Sequence, residues 1–215
     1  IMDEEITIIN EKTRNEKIIN FFYENKKLFL SAIVLLILLI LGFYSYKIYQ
    51  DGQKEKISDK YNIAVIEYNN GDKSRIIEIM REVIESKDST YSPLALYFLI
   101  DNKLIEDKKD VNEFFNILIN KTSLETEIKN LIIYKKALYN ADFISENELL
   151  DILNPLINSK SVWKSHALYL VAEYFYSKDE KQKSKEFFNK IISIDNANQE
   201  IVRESKKRLN RDLSE

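Results

Sequence analysis

The chain has 215 residues, 31% of them Asp, Glu, Lys or Arg, and a formal net charge of −3. No global field of either sign points to nucleic acid, and a cysteine count of 0 removes disulfides, thiol nucleophiles and a lipid-modified cysteine together. With His166 the single histidine and isolated glycines at 42, 52 and 71, neither a His-based catalytic or metal constellation nor a glycine-rich phosphate loop can be assembled. No cofactor, metal or small-molecule substrate is expected, and the chain reads as a non-enzyme.

Residues 1–27 alternate acids with bases and carry apolar residues at helical spacing through Ile6, Ile9, Ile18, Ile19 and Phe22. This pattern fits either a short amphipathic helix at a membrane surface or a solvated tail. Residues 28–46, LFLSAIVLLILLILGFYSY, contain no charge and are flanked by Lys26, Lys27 and Lys47. As a helix they would measure about 28 Å, close to the hydrocarbon thickness of a bilayer. A soluble core helix would show a polar stripe, which Leu35 to Leu41 lacks. A signal peptide would be shorter and end in small residues, whereas this stretch exits through Phe43, Tyr44 and Tyr46, which suit an interfacial belt. A single-pass, lipid-contacting anchor is expected. Lys12, Arg14, Lys17, Lys26 and Lys27 on one side nearly balance Lys47, Lys54, Lys56 and Lys60 on the other, so charge leaves its orientation open.

After a linker at 47–57, residues 58–215 form one all-α domain: with three glycines and two prolines in the whole chain, hairpin turns are absent and helix connections short. Helices are expected over 58–68, 74–86, 92–105, 111–120, 124–139, 146–158 with an interruption at Pro155, 162–176, 181–194 and 198–213. Alternate segments begin 33 to 38 residues apart, the period of a helix-turn-helix array. Ala95-Leu96-Tyr97 returns as Ala167-Leu168-Tyr169, and Asn112 to Asn116 returns at Lys185 to Asn189, offsets of 72 and 73 residues. The last segment has a narrow apolar edge of Ile201, Leu209 and Leu213 with Arg203, Lys206, Lys207, Arg208 and Arg211 around it. It reads as a capping helix or as a basic patch for an anionic partner.

The unit from Val162 to Ile194 resembles the tetratricopeptide repeat, with Leu168, Val171, Ala172 and Phe175 on its first helix and Ser184, Phe188 and Ile191 on its second. It departs from that pattern in having no glycine at the Ala172 position and no proline after Ile194. The whole layout is similar to the ancillary subunit of the bacterial Sec translocon in its alphaproteobacterial form. The resemblance is carried by Asp3-Glu4-Glu5-Ile6, Phe22 to Lys26, Ser89-Thr90-Tyr91 before Leu94-Ala95, Trp163 to Ala172 and Ser177 to Lys181. It implies an inner-membrane protein with a cytoplasmic N-terminus and a periplasmic domain of tetratricopeptide-like pairs. The implied partners are the Sec channel and a membrane-anchored periplasmic chaperone of the peptidyl-prolyl isomerase type.

Repeat arrays hold peptides on the face lined by their first helices, and tyrosine joins apolar area to a polar tip. On that ground Tyr61, Tyr97, Tyr134 and Tyr169 are the candidate partner-binding residues, while Phe114, Phe115, Phe187 and Phe188 are expected in the core. The alternatives are a scaffold for outer-membrane assembly or cell division, which the missing cleavage site and cysteine disfavour, and an enzyme with a site too diffuse for motifs.

Overall fold

In the computed structural model, residues 19–21, 23–69 and 71–213 are described. The amphipathic pattern through Ile6, Ile9, Ile18 and Phe22, and the opening Asp3 to Ile6, lie outside the described residues. The chain divides into two compact units, Ile1–Glu55 and Lys56–Glu215.

The first unit carries most of α1, Lys26–Glu67. Within it, residues 28–46 are exposed among the described residues except for half-buried Phe29, and they form a helix long and apolar enough to cross a membrane. The stretch 47–57, expected as a linker, is helix. It holds no proline, and Gln, Lys, Glu and Ile outweigh the cost of about 1 kcal/mol that Gly52 imposes in a helix interior.

The second unit is built from the last turns of α1 and α2 (Lys73–Glu85), α3 (Tyr91–Asp101), α4 (Lys108–Lys121), α5 (Thr126–Asn140), α6 (Glu146–Ile157), α7 (Lys164–Ser177), α8 (Lys181–Ile192) and α9 (Gln199–Asp212). Each helix from α2 on packs against its successor, and α2–α4, α5–α7 and α7–α9 pack next-but-one. The core follows the same order. One cluster runs from Ala64 to Ile132, a second from Ile133 to Phe175, and a third joins Leu168 and Ala172 to Phe188, Ile191 and Leu213.

Burial divides the helices into two kinds. Helices α2, α4, α6 and α8 bury a single stripe, such as Ile76, Met80, Val83 and Ile84 on α2 or Val111, Phe114, Phe115 and Leu118 on α4. Helices α3 and α7 are apolar on more than one side, because they are covered from both. Small residues at the crossings, Ala95, Ala137, Ala167, Ala172 and Ser184, let the backbones approach. Phe114, Phe115 and Phe188 are core as expected, and Phe187 is half-buried against Phe175.

Local chemistry sets the helix ends. Asp72, Asp107 and Asn198 accept first-turn N–H bonds, and Ser145 and Glu148 close a full capping box. The expected interruption at Pro155 does not occur: α6 continues to Ile157. Pro155 sits in the last turn, so it costs one bond, to the carbonyl of the exposed Asp151. Helix α3 stops at Asp101, short of the expected 105, because Lys103 takes a left-handed conformation (φ 53°). Its N–H reaches Ile100 O at 3.0 Å, and Leu104 N–H reaches Leu99 O at 2.9 Å, the two bonds of a Schellman motif. Left-handed conformation costs a residue with a Cβ about 1–2 kcal/mol, of which glycine's unfolded-state entropy cancels part. Lys103→Gly should therefore stabilise the domain by about 0.5–1 kcal/mol, read as a higher urea midpoint.

Candidate functional site

Tyr61, Tyr97, Tyr134 and Tyr169 lie on α1, α3, α5 and α7, separated by 36, 37 and 35 residues, and each is half-buried. Three of these rings meet the next odd-numbered helix or the turn leading into it, and the fourth, Tyr169, meets α8. Tyr61 packs on Tyr91 at 5.7 Å, and Ser58 donates to the Tyr91 hydroxyl at 2.7 Å. The Lys135 ammonium lies 4.4 Å from the Tyr97 ring, a cation–π contact. Tyr134 stacks on Trp163 at 5.8 Å and meets His166 edge-on at 5.9 Å. Tyr169 packs edge-on against Phe188 of α8 at 5.4 Å, with Glu173 beside it and Arg208 of α9 near enough to act on its charge. The four tyrosines thus recur once per odd helix from α1 to α7, each half-buried; we refer to this row as the tyrosine seam.

Burial raises the hydroxyl pKa of Tyr61 and Tyr134; for Tyr169, burial and the Glu173 carboxylate push it up to about 12. Tyr97 is displaced furthest upward, by burial first and Asp101 second, and its hydroxyl is buried without a hydrogen-bond partner among the described residues. An unpaired buried hydroxyl costs about 1–3 kcal/mol. Tyr97→Phe is therefore expected to stabilise the domain by about 1 kcal/mol, raising Tm by about 2–4 °C, which scanning calorimetry would register.

Around the seam lie apolar residues that sequence patterning did not single out. Leu94, one turn before Tyr97, is 42% exposed, and Leu138, one turn after Tyr134, is 52% exposed. Helical spacing puts each on the same side of its helix as the tyrosine. Nothing in composition distinguishes them from core leucines; the 36-residue register, once fixed on the tyrosines, would have found them.

His166 sits within the aromatic cluster, 5.0 Å from Trp163. Burial lowers its pKa below the usual histidine value, with the Val162 carbonyl pulling the other way. Since the folded state disfavours the proton, stability is full above pH about 6.5 and falls as pH drops below that value. Trp163 is the single tryptophan. Its emission should hence titrate with a midpoint below 6.5, and His166→Phe should abolish that step.

The basic face of α9 is largely neutralised from within. Arg208, 14% exposed at its side chain, makes a bidentate pair with Glu173 at 2.7 and 2.7 Å and also bonds Asp212. Arg211 shares Asp212, whose pKa falls to about 2, while Arg203 and Lys207 pair with Glu200 and Glu204. These contacts favour the capping reading over the anionic-partner one: the bidentate pair locks α9 onto α7.

Among the described residues, no group of three or more His, Asp or Glu side chains could hold a metal ion. No protein family, curated protein or solved structure matches the chain.

Proposed function

We propose that this chain is a non-enzymatic interaction protein anchored in the bacterial inner membrane by residues 28–46. In this reading α2 to α9 form tetratricopeptide-like pairs on the periplasmic side. The protein associates with the Sec translocon and holds a membrane-anchored periplasmic chaperone or a translocating polypeptide along its odd-helix face. The observation that carries the binding role is the recurrence of a half-buried tyrosine on each odd helix from α1 to α7, with exposed Leu94 beside Tyr97 and exposed Leu138 beside Tyr134, apolar surface with polar tips of the kind that receives polypeptide. Three further features support the reading: a long apolar helix exposed among the described residues, next-but-one packing of α5 on α7 and of α7 on α9, and a polar α9 that ends the array.

The test is a photo-crosslinking amino acid placed at Leu94 or Leu138 in living cells. Adducts with a Sec channel subunit, a periplasmic chaperone or a chain in transit are expected. Equal labelling from exposed Lys73 on α2, or no adduct with any of these, would overturn the assignment.

A further inference from the structure

Between α4, α5 and α6 lies a groove of about 390 Å³ lined by Asn112, Lys136, Asn140, Ile144, Asp151 and Ile152. Its α5 residues 136 and 140 each fall two positions from 134 and 138, about 200° around the helix and so on the side away from the tyrosine seam. Asn112 and Asn140 exchange amide hydrogen bonds in both directions at 2.9 Å. Their remaining N–H groups go to the carbonyls of Lys108 and Lys136 one turn earlier. All four amide protons are thus spent, while among the described residues each Oδ1 accepts one bond and keeps a second lone pair. Asn140 is nearly fully buried, so this pair is fixed before any ligand arrives.

Lys136 supplies the opposite capacity. Its ammonium donates to Asn116 Oδ1 at 2.8 Å, and burial lowers its pKa. Among the described residues it forms no ion pair, which leaves two of three protons unspent. Glu148 also lines the groove but is committed to the Ser145 cap, whereas the exposed Asp151 carboxylate lines it with no ion pair among the described residues.

We propose that this groove binds a short extended stretch of polypeptide. Its backbone N–H groups lie on the Asn112 and Asn140 carbonyls, its backbone C=O on Lys136, and a Lys or Arg side chain on Asp151. An extended chain presents donors and acceptors in alternation at about 3.3 Å per residue, which answers a floor with spare acceptors beside a wall with a spare donor. An anionic ligand would meet Asp151 and Glu148; a free cation would meet Lys136. Ile144 and Ile152 add apolar edges for the flanking side chains.

The test uses the full chain in detergent and a fluorophore-labelled, blocked pentapeptide, Ala-Ile-Lys-Ala-Ala, followed by anisotropy. Saturable binding is expected, at least tenfold weaker with Asp151→Lys or Lys136→Met and lost when the peptide's backbone amides are N-methylated. Unsaturable binding to the wild type, equal affinity for the N-methylated peptide, or wild-type affinity in Asp151→Lys would each overturn the proposal. Asp151 is exposed, so that variant keeps its fold, and its melting curve verifies this. Crosslinking from Leu138 should persist in Asp151→Lys, which separates failure at this groove from failure at the odd-helix face.

Discussion

Phe175→Ala is expected to remove about 3–5 kcal/mol from the stability of the helical domain. Phe175 is 1% exposed on α7, stacks on Phe187 of α8 at 5.5 Å, and carries the Lys183 ammonium 4.8 Å from its ring centre. Its carbonyl also accepts the Glu180 N–H that closes the α7–α8 turn. Truncation leaves a cavity in the second core cluster, where α5, α6 and α7 meet, and the packed helices can refill it only in part. A domain with about 5–15 kcal/mol in total would lose a large share of its margin. Urea denaturation followed by circular dichroism should show the midpoint fall sharply. Phe143, 58% exposed in the turn before α6, is the control, and its replacement by alanine should change stability by less than about 0.5 kcal/mol. Similar losses for both would mean that α7 does not occupy the centre of the packing.

Leu35→Arg combined with Leu38→Arg should release the chain from the membrane. The two positions are one helical turn apart near the middle of the apolar stretch. Each arginine costs about 2.5–3.5 kcal/mol there in place of a favourable leucine, so the pair opposes insertion by about 6–8 kcal/mol. After alkaline extraction the wild type should stay in the membrane pellet and the double variant should move to the supernatant. Leu35→Ile with Leu38→Ile should behave as wild type. An arginine pair that pellets like the wild type would argue against a spanning role for this helix.

The sequence made most of the helices legible, because their apolar residues recur at 3.6-residue spacing and their starts carry Asp, Ser or Asn. What it concealed follows from physical competition at particular residues. Asp101 to Ile105 has helical composition, yet Lys103 in the left-handed region ends α3 early, a cap usually marked by glycine and here occupied by lysine. Pro155 looks like a breaker, but at the end of α6 it removes one bond whose carbonyl can face water. Residues 47–57, expected to link the anchor to the domain, are crossed by the continuing helix, and the division between the two units falls within them. The tyrosines were identifiable as a set, and the structure places Tyr61, Tyr97 and Tyr134 where each meets the next odd helix, and Tyr169 against α8. The Asn112–Asn140 pair was not readable in advance: amide residues 28 positions apart give no signal until α4 and α5 are packed.

The claim on which the functional reading rests is that residues 28–46 place the helical domain outside the cytoplasm. A phosphatase fused after Glu215, active only when exported, tests it most directly. High activity, matched by silence of a reporter that works only in the cytoplasm, is the expected result. A phosphatase that stays inactive while the cytoplasmic reporter works would contradict the account and remove the Sec assignment with it.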